Sequence, residues 1–290
     1  MQKVLVAGAS GSLGFEVLSK LKQMDVPLRA LVSSPESARK VEPVTGDVVI
    51  ADARNSDELK EAFRDVDIVF SAVGQSVSLS DNSGSFEEID FGINKNLIDG
   101  AVSAGVRRFI YVSIKGVDVA TTYEMAIVHK RVEDYLKERK ISYTIIRPVG
   151  FFSGFNDWIA MGKRGIIPLP GSGTHKTNPI HPEDLAAVVA DVIHEGPEVM
   201  EAGGPEIYTR AEIARMISEK TNGKVTSLPG LLIEPGLIFM KIFDRNTQAK
   251  LDYFNFVSTH DMVAPQYGTR SLKDYIMNFD LNQLQDAWPI

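Results

Sequence analysis

The chain contains no cysteine. That absence removes disulfides, thiolate nucleophiles, iron–sulfur ligation and cysteine-based zinc sites together, and it is compatible with a reducing compartment. Surplus positive charge is also missing: 31 Lys and Arg stand against 38 Asp and Glu, a formal net charge of -7. No cluster of Lys and Arg with interleaved aromatics offers a footing for a phosphodiester backbone, so nucleic acid is not an expected partner. Long apolar runs are lacking too. The most apolar late stretch, 228–243, is interrupted by Pro229, Glu234, Pro235 and Lys241, short of the roughly 20 apolar residues that a membrane-crossing helix needs. Met1-Gln2-Lys3 leads straight into a strand pattern, and the expectation is a cytoplasmic protein with no membrane span. Neither an HExxH nor a GxSxG spacing occurs; His175 and His181 therefore read as structural or capping histidines, no metal site is expected, and there is no hydrolase elbow.

What is present begins at once. Val4-Leu5-Val6-Ala7 is a buried-strand run, and Gly8-Ala9-Ser10-Gly11-Ser12-Leu13-Gly14 follows it directly. A glycine-rich turn between a strand and a helix suits a dinucleotide pyrophosphate. Gly8 permits the tight turn, Gly11 lets the phosphates approach bare backbone, and Gly14 lets the helix sit close to the sheet. The spacing is GxxGxxG rather than GxGxxG. Further β-branched runs at 28–32, 48–51, 68–72, 109–113 and 143–147 alternate with segments mostly long enough for crossover helices. With 4–7 they predict six parallel strands covered on both faces. Ser85 with Glu88, Thr121 with Glu124, and Thr209 with Glu212 each have capping-box spacing, and Pro182 suits the first position of a helix carrying Leu185, Val188, Val189 and Val192.

After Pro148 the texture changes. Gly150, Gly154, Gly162, Gly165, Pro168, Pro170, Gly171 and Gly173 break the pattern, which predicts a long functional or mobile connection. The expected fold is α/β: a Rossmann-type doubly wound parallel sheet with a smaller, mostly helical C-terminal lobe facing the substrate. The division is 1–150 for nucleotide binding and 151–290 for the substrate-facing region, with about 178–210 packing back onto the sheet.

The GxxGxxG turn, Asp52 closing the third strand, Ser71-Ala72-Val73-Gly74 after the fourth, Tyr111-Val112-Ser113 ending the fifth and Arg147-Pro148 ending the sixth together resemble the atypical short-chain dehydrogenase/reductases, and the NmrA-like NAD(P)H-binding oxidoreductases in particular. The likeness continues through Asn178-Pro179-Ile180-His181-Pro182-Glu183-Asp184-Leu185-Ala186, Gly203-Gly204-Pro205-Glu206 and Asp261-Met262-Val263-Ala264-Pro265. It implies that Gly8, Ser10, Gly11, Ser12, Leu13 and Gly14 hold the pyrophosphate and that Asp52 and Ala53 flank the adenine. It also places Ala72, Val73 and Gly74 near the second ribose, and Pro148, Val149, Gly150 and Phe151 behind the nicotinamide. Asp52 also reads as an ordinary turn acid.

In this fold the residue ending the second strand reads the adenosine ribose. A carboxylate there accepts from the 2′-OH of NAD, and cationic groups receive the 2′-phosphate of NADP. Here the strand ends Val32-Ser33-Ser34-Pro35. Ser33 and Ser34 as donors, with Arg39 or Lys40 as charge, favour NADP(H), with NAD(H) the alternative; Glu36 is within reach of a ribose hydroxyl.

The chemistry departs from the common pattern. Classical and extended members pair a Ser with a Tyr four residues before a Lys, the Lys lowering the phenol pKa while the Tyr exchanges a proton with substrate. Lys130 matches the lysine, but Ala126 stands where the tyrosine belongs. Tyr123 precedes Lys130 by seven residues, about 10 Å along a helix. The resemblance assigns Ser113 to orienting the substrate and Lys130 to the nicotinamide ribose. Tyr123, Lys115 or water remains for the proton. Lys130 alternatively pairs with Asp134 one turn on. Phe155, Trp158, Phe239, Phe243, Tyr253, Phe254 and Phe256 supply either an apolar pocket or the packing of a lobe.

The leading expectation is an NADP-preferring oxidoreductase that passes hydride to a small apolar acceptor such as a quinone or an activated carbonyl. One alternative is a non-catalytic NAD(P)-binding redox sensor or scaffold, to which Ala126 points. The other is a sugar-type epimerase or dehydratase. Subunit number is left open.

Overall fold

A computed structural model describes residues 2–75, 78, 84–228 and 245–284. Strand β1 (Val4–Ala7) leads into helix α1 (Ser12–Gln23), and β2 (Leu28–Val32), α2 (Pro35–Val41), β3 (Val48–Ile50) and β4 (Ile68–Ser71) follow. A π-helical turn, Glu87–Ile93, runs into α3 (Asn94–Ser103), then β5 (Arg108–Val112), α4 (Glu124–Lys137) and β6 (Ser142–Pro148). These six strands and a later one, β9 (Val199–Ala202), form a single parallel sheet in the order β3-β2-β1-β4-β5-β6-β9. The order reverses at β1, which places a crevice beyond the carboxyl ends of β1 and β4, where ligands sit in such sheets.

Alternation along each strand explains why the runs are apolar throughout. Val4, Val6, Phe70 and Ile110 face one way, onto Val17, Leu18 and Leu21 of α1 and onto Leu185, Val188 and Val189. Leu5, Val69, Phe109 and Tyr111 face the other way, onto Leu97 and Ile98 of α3 and onto Val132 and Leu136 of α4. A two-residue period with both faces covered calls for apolar side chains on either side; the sheet's buried polar residues Arg29, Ser71, Arg108, Thr144 and Arg147 are the exceptions.

Beyond β6, a 3₁₀ turn (Phe152–Phe155), α5 (Asn156–Lys163), β7 (Ile166–Pro170), β8 (Lys176–Thr177) and α6 (Pro182–Asp191) precede β9; β10 (Tyr208–Thr209), α7 (Arg210–Thr221), β11 (Lys224–Leu228), α8 (Arg245–Thr259) and α9 (Leu272–Asn278) complete the chain's larger elements. Two small sheets, β10 with β8 and β11 with β7, join the helices here. Aromatic and branched side chains including Phe152, Phe155, Trp158, Ile213, Ile217, Leu272 and Ile276 pack this region. A second seam ties it to the sheet: Tyr253 and Phe256 of α8 pack with Ala120, Ala126, Val149 and Met262.

Several local expectations change. The glycine- and proline-rich stretch after Pro148 holds α5 and β7 rather than an irregular connection. Between β3 and β4 the chain makes successive turns rather than a regular crossover helix, while still burying Leu59, Ala62 and Phe63. Thr209 and Glu212 complete their reciprocal cap. Ser85 receives the Glu88 N–H at 3.1 Å, but the Glu88 carboxylate turns to Arg54. Thr121 caps nothing, because α4 starts later with Tyr123 at its N-cap and no side-chain cap. His181 does cap α6, accepting the Glu183 N–H through Nδ1 at 3.2 Å. Phe239 and Phe243, with nearly all of 228–243, lie outside the described residues.

Candidate nucleotide site and its neighbours

The turn after β1 is shaped by what glycine omits. Gly8 has φ +75°, and a Cβ on Gly14 would stand 2.1 Å from the Gly8 carbonyl oxygen, far inside contact distance. Gly11 donates its N–H to that same oxygen at 3.0 Å and forms the N-cap of α1. No side chain caps α1 and its first turn carries no acid. By contrast Ser34, His181, Thr209 and Ser271 cap α2, α6, α7 and α9. The α1 amides are thus not taken by a side-chain cap and, with the dipole, suit an anion set against bare backbone. A pyrophosphate fits this cradle, with Ser10, Ser12 and Leu13 along it.

Beside the tip of β2, Lys40 crosses from α2 and donates to the Ser10 carbonyl at 2.6 Å, its ammonium 5.7 Å from the Phe15 ring centre. Ser34 accepts the Ser37 N–H at 3.1 Å as the α2 cap, whereas Ser33 and Arg39 are exposed. Asp52 is exposed and forms an Asx turn with the Arg54 N–H at 3.0 Å, and the Ala53 carbonyl is held by Asn96 at 3.0 Å.

The segment after β4 is held from two sides. Ala72 donates to the Ala7 carbonyl at 3.2 Å, and Asn94 grips the Val73 carbonyl at 3.0 Å while its Oδ1 accepts from Ser71 at 2.6 Å. Gly74 lies against Asp90: a Cβ there would be 3.1 Å from Asp90 Oδ1.

At the ends of β5 and β6 a buried ion cluster takes over. Ser113 donates to Glu133 Oε1 at 2.7 Å; Arg147 grips both oxygens of Glu133, Nε at 2.8 Å and Nη2 at 2.6 Å, and reaches Asp118 at 2.5 Å. The Glu133 carboxylate beside it pushes the Arg147 guanidinium well above its usual range, so the guanidinium stays charged. Lys115 pairs with Glu201 of β9 at 2.6 Å. Lys130 pairs with Asp134 one turn along α4. Tyr123 packs its ring 5.1 Å from that of Phe256. Behind them the Pro148 carbonyl accepts from Lys115 and the Val149 N–H reaches the Ala202 carbonyl, both at 2.9 Å; the Gly150 carbonyl takes the Ile180 N–H at 2.8 Å, and Phe151 bridges to Ile180.

Gly8 to Gly14, Ala72 to Gly74, Ser113 and Pro148 to Phe151 thus all follow the carboxyl ends of the neighbouring strands β1, β4, β5 and β6. Lys130 lies on α4 and Tyr123 at its N-cap, the one paired with Asp134 and the other packed on Phe256. Sequence reading missed Asp90, Tyr111, His129 and Glu133, which are buried polar residues at or near this edge. A clue was available in the polar and acidic residues at otherwise apolar helical positions. Among the described residues no His, Cys, Asp or Glu group has the makings of a metal site, and no helix is long and apolar enough to cross a membrane.

Comparison with known proteins agrees with this geometry. A family profile described as NAD(P)H-binding matches residues 8–196. NADH dehydrogenase [ubiquinone] 1 alpha subcomplex subunit 9, mitochondrial, of Arabidopsis thaliana is 27% identical over 228 residues, which is 73% of this chain and 56% of that protein. The chain thus spans just over half the length of this relative. An NADPH-dependent quinone oxidoreductase of Escherichia coli, solved with NADPH, superimposes with a TM-score of 0.74 at 21% identity, over 94% of this chain and 98% of that one. A nucleoside-diphosphate-sugar epimerase of Staphylococcus aureus gives 0.75 at 17% identity, over 96% and 100%. These two structural likenesses establish the Rossmann-like fold and leave the reaction to the site. With its glycine turn, sheet order and matched profile, the chain belongs to the NAD(P)H-binding family, in the atypical short-chain dehydrogenase/reductase, NmrA-like group.

Proposed function

We propose that the protein is an NADP-preferring oxidoreductase whose acceptor is a small apolar molecule such as a quinone or an activated carbonyl. The observation that carries the cofactor half is Lys40. Its ammonium sits on the Ser10 carbonyl beside an uncapped helix, and the tip of β2 carries Ser33 and Ser34 instead of a carboxylate. A 2′-phosphate gains a cation there that NAD has no group to use. The quinone named for the NADPH-dependent neighbour and the ubiquinone named for the Arabidopsis relative support the acceptor half by analogy alone.

A reduced nicotinamide supplies hydride at such a site. The chain's own residues do the rest. The Pro148 to Phe151 segment, fixed by hydrogen bonds to Lys115, Ala202 and Ile180, walls the nicotinamide side with apolar surface and excludes water. Ser113, with its proton committed to Glu133, keeps its oxygen at a fixed point on the strand edge. Lys130 leaves Asp134 to meet ribose hydroxyls. Quinone reduction needs one proton with the hydride, and Lys115, Tyr123 or water delivers it. The oxygens of a reduced quinone are far less basic than an alkoxide, so the missing tyrosine at Ala126 is tolerable.

One observation favours a second reading, a nucleotide-binding sensor or scaffold. Ala126 is fully buried, and both Lys130 and Tyr123 are engaged elsewhere. Calorimetric titration with NADPH and NADH at one salt concentration, followed by a screen of quinones and carbonyls for NADPH oxidation, tests both. Tighter NADPH binding with turnover supports the reductase. Tight binding with no turnover supports the sensor, and binding of neither nucleotide defeats both.

A further inference from the structure

Three titratable side chains from three elements line up in the core behind the segment after β4. Tyr111 on β5, His129 on α4 and Asp90 in the π-helical turn are all buried. The Tyr111 hydroxyl lies 2.7 Å from His129 Nδ1. His129 Nε2 lies 3.3 Å from Asp90 Oδ1, without the alignment of a full hydrogen bond. Asp90 Oδ2 accepts the Gln75 N–H at 3.1 Å, and the backbone of Asp90 is itself anchored, its carbonyl taking Asn94 Nδ2 at 2.7 Å. A π turn shifts the helical register by one residue and recurs at functional positions; here it brings the carboxylate under Gly74 and Gln75. Nothing in the reductase chemistry uses these groups.

We propose that Asp90 is a positioning residue for the nucleotide: its ionised carboxylate fixes the backbone of Gly74 and Gln75 where the nicotinamide-side ribose would rest, and the proton on Asp90 sets nucleotide affinity. This rests on the nucleotide-binding reading above. With Asp90 ionised, Tyr111 donates to Nδ1, Nε2–H faces Oδ1, and the Gln75 N–H makes a charge-assisted bond. With Asp90 protonated, Nε2–H loses its anionic neighbour and the bond to Gln75 weakens to an ordinary one. Burial pushes Asp90 up to about 7 and His129 down to about 4, so near neutral pH the imidazole stays neutral and the carboxyl is the group that changes charge. The other charges facing this line are few: Glu133 on α4, already neutralised by Arg147 of β6, while β5 brings the Tyr111 phenol, itself pushed up by burial. Affinity therefore rises as pH rises through about 7, and by linkage nucleotide binding expels a proton.

NADH is the probe, because the 2′-phosphate of NADPH has its own ionisation near pH 6. Its dissociation constant is measured from about pH 5.5 to 8.5 for the wild type and Asp90→Asn, and its binding to the wild type is followed by calorimetry at pH 7 in two buffers of different ionisation enthalpy. The expected result is a tightening of about tenfold over the range, since one pKa unit corresponds to a tenfold effect; Asp90→Asn loses this slope, and the wild type releases a fraction of a proton. Equal slopes in both proteins overturn the proposal. If Asp90→Asn does not fold, the wild-type calorimetry decides alone: NADH binding without proton release overturns the proposal and leaves the nucleotide site standing. If NADH does not bind, NADPH takes its place, the 2′-phosphate ionisation being common to wild type and Asp90→Asn so that the difference between their slopes still decides; if neither nucleotide binds at any pH, the nucleotide reading falls and takes the proposal with it.

Discussion

The two ends of the crevice are built from different materials. The phosphate end is backbone: three glycines, an uncapped helix and one bridging lysine. The end proposed for the nicotinamide is side chain: a buried Glu133 and Arg147 pair, Ser113 tied to it, and Asp90, His129 and Tyr111 behind. Backbone shape tolerates almost no substitution and is written in a short local motif. A side-chain end is assembled from residues far apart in the chain, so it drifts in chemistry while the fold stays put. Ala126, standing where the classical and extended pattern has tyrosine, fits such drift.

Five substitutions probe the contrast, from the largest expected effect to the smallest. Gly14→Ala puts a methyl group into the Gly8 carbonyl. A loss of NADPH affinity of about a hundredfold or more is expected, with destabilisation on the order of 1–3 kcal/mol, typical of overpacking, read by calorimetry and a urea melt. Binding that survives intact would refute the backbone half of the comparison. Glu133→Ala strands Arg147 without its buried partner, and breaking such a pair costs about 3–5 kcal/mol; the urea midpoint should fall accordingly, with nucleotide affinity of the folded fraction changing less than in Gly14→Ala. Lys40→Ala is expected to weaken NADPH about tenfold, the worth of one charge-assisted hydrogen bond, and to leave NADH unchanged; an equal loss for both would show that Lys40 serves the turn and not the 2′-phosphate. Finally, Lys130→Ala and Tyr123→Phe should barely move stability, since an exposed i,i+4 pair contributes only about 0.3–0.5 kcal/mol. They separate in turnover. A reductase loses most of its rate with Lys130→Ala and less than about twofold with Tyr123→Phe if water delivers the proton, in steady-state assays with a quinone.

The same division explains what could be read from the sequence. The six strands of the core were legible because each is a short apolar run bounded by turn residues, and the His181 and Thr209 caps because capping is chemistry within three residues. The seventh strand was not: Val199-Met200-Glu201-Ala202 is short and carries a charge, and only the edge of β6 makes it a strand. The register shift of the π turn leaves no local signature, and Asp90 stands 39 residues from His129, so a sequence window never shows them as neighbours. Lys130 was legible as a residue type; its partner on the structure is Asp134.

The seventh strand also bears on how the protein is made. Residues 199–202 pair with β6, which ends at Pro148, and α6 lies on the face it shares with α1. A ribosome that has released the first six strands has therefore released a sheet whose β6 edge is unpaired and whose α1 face is only partly covered, both waiting on the next fifty or so residues. Unpaired strand edges and exposed apolar faces are where nascent chains associate wrongly, so the interval between the synthesis of β6 and that of β9 is when this chain is most exposed to misassociation.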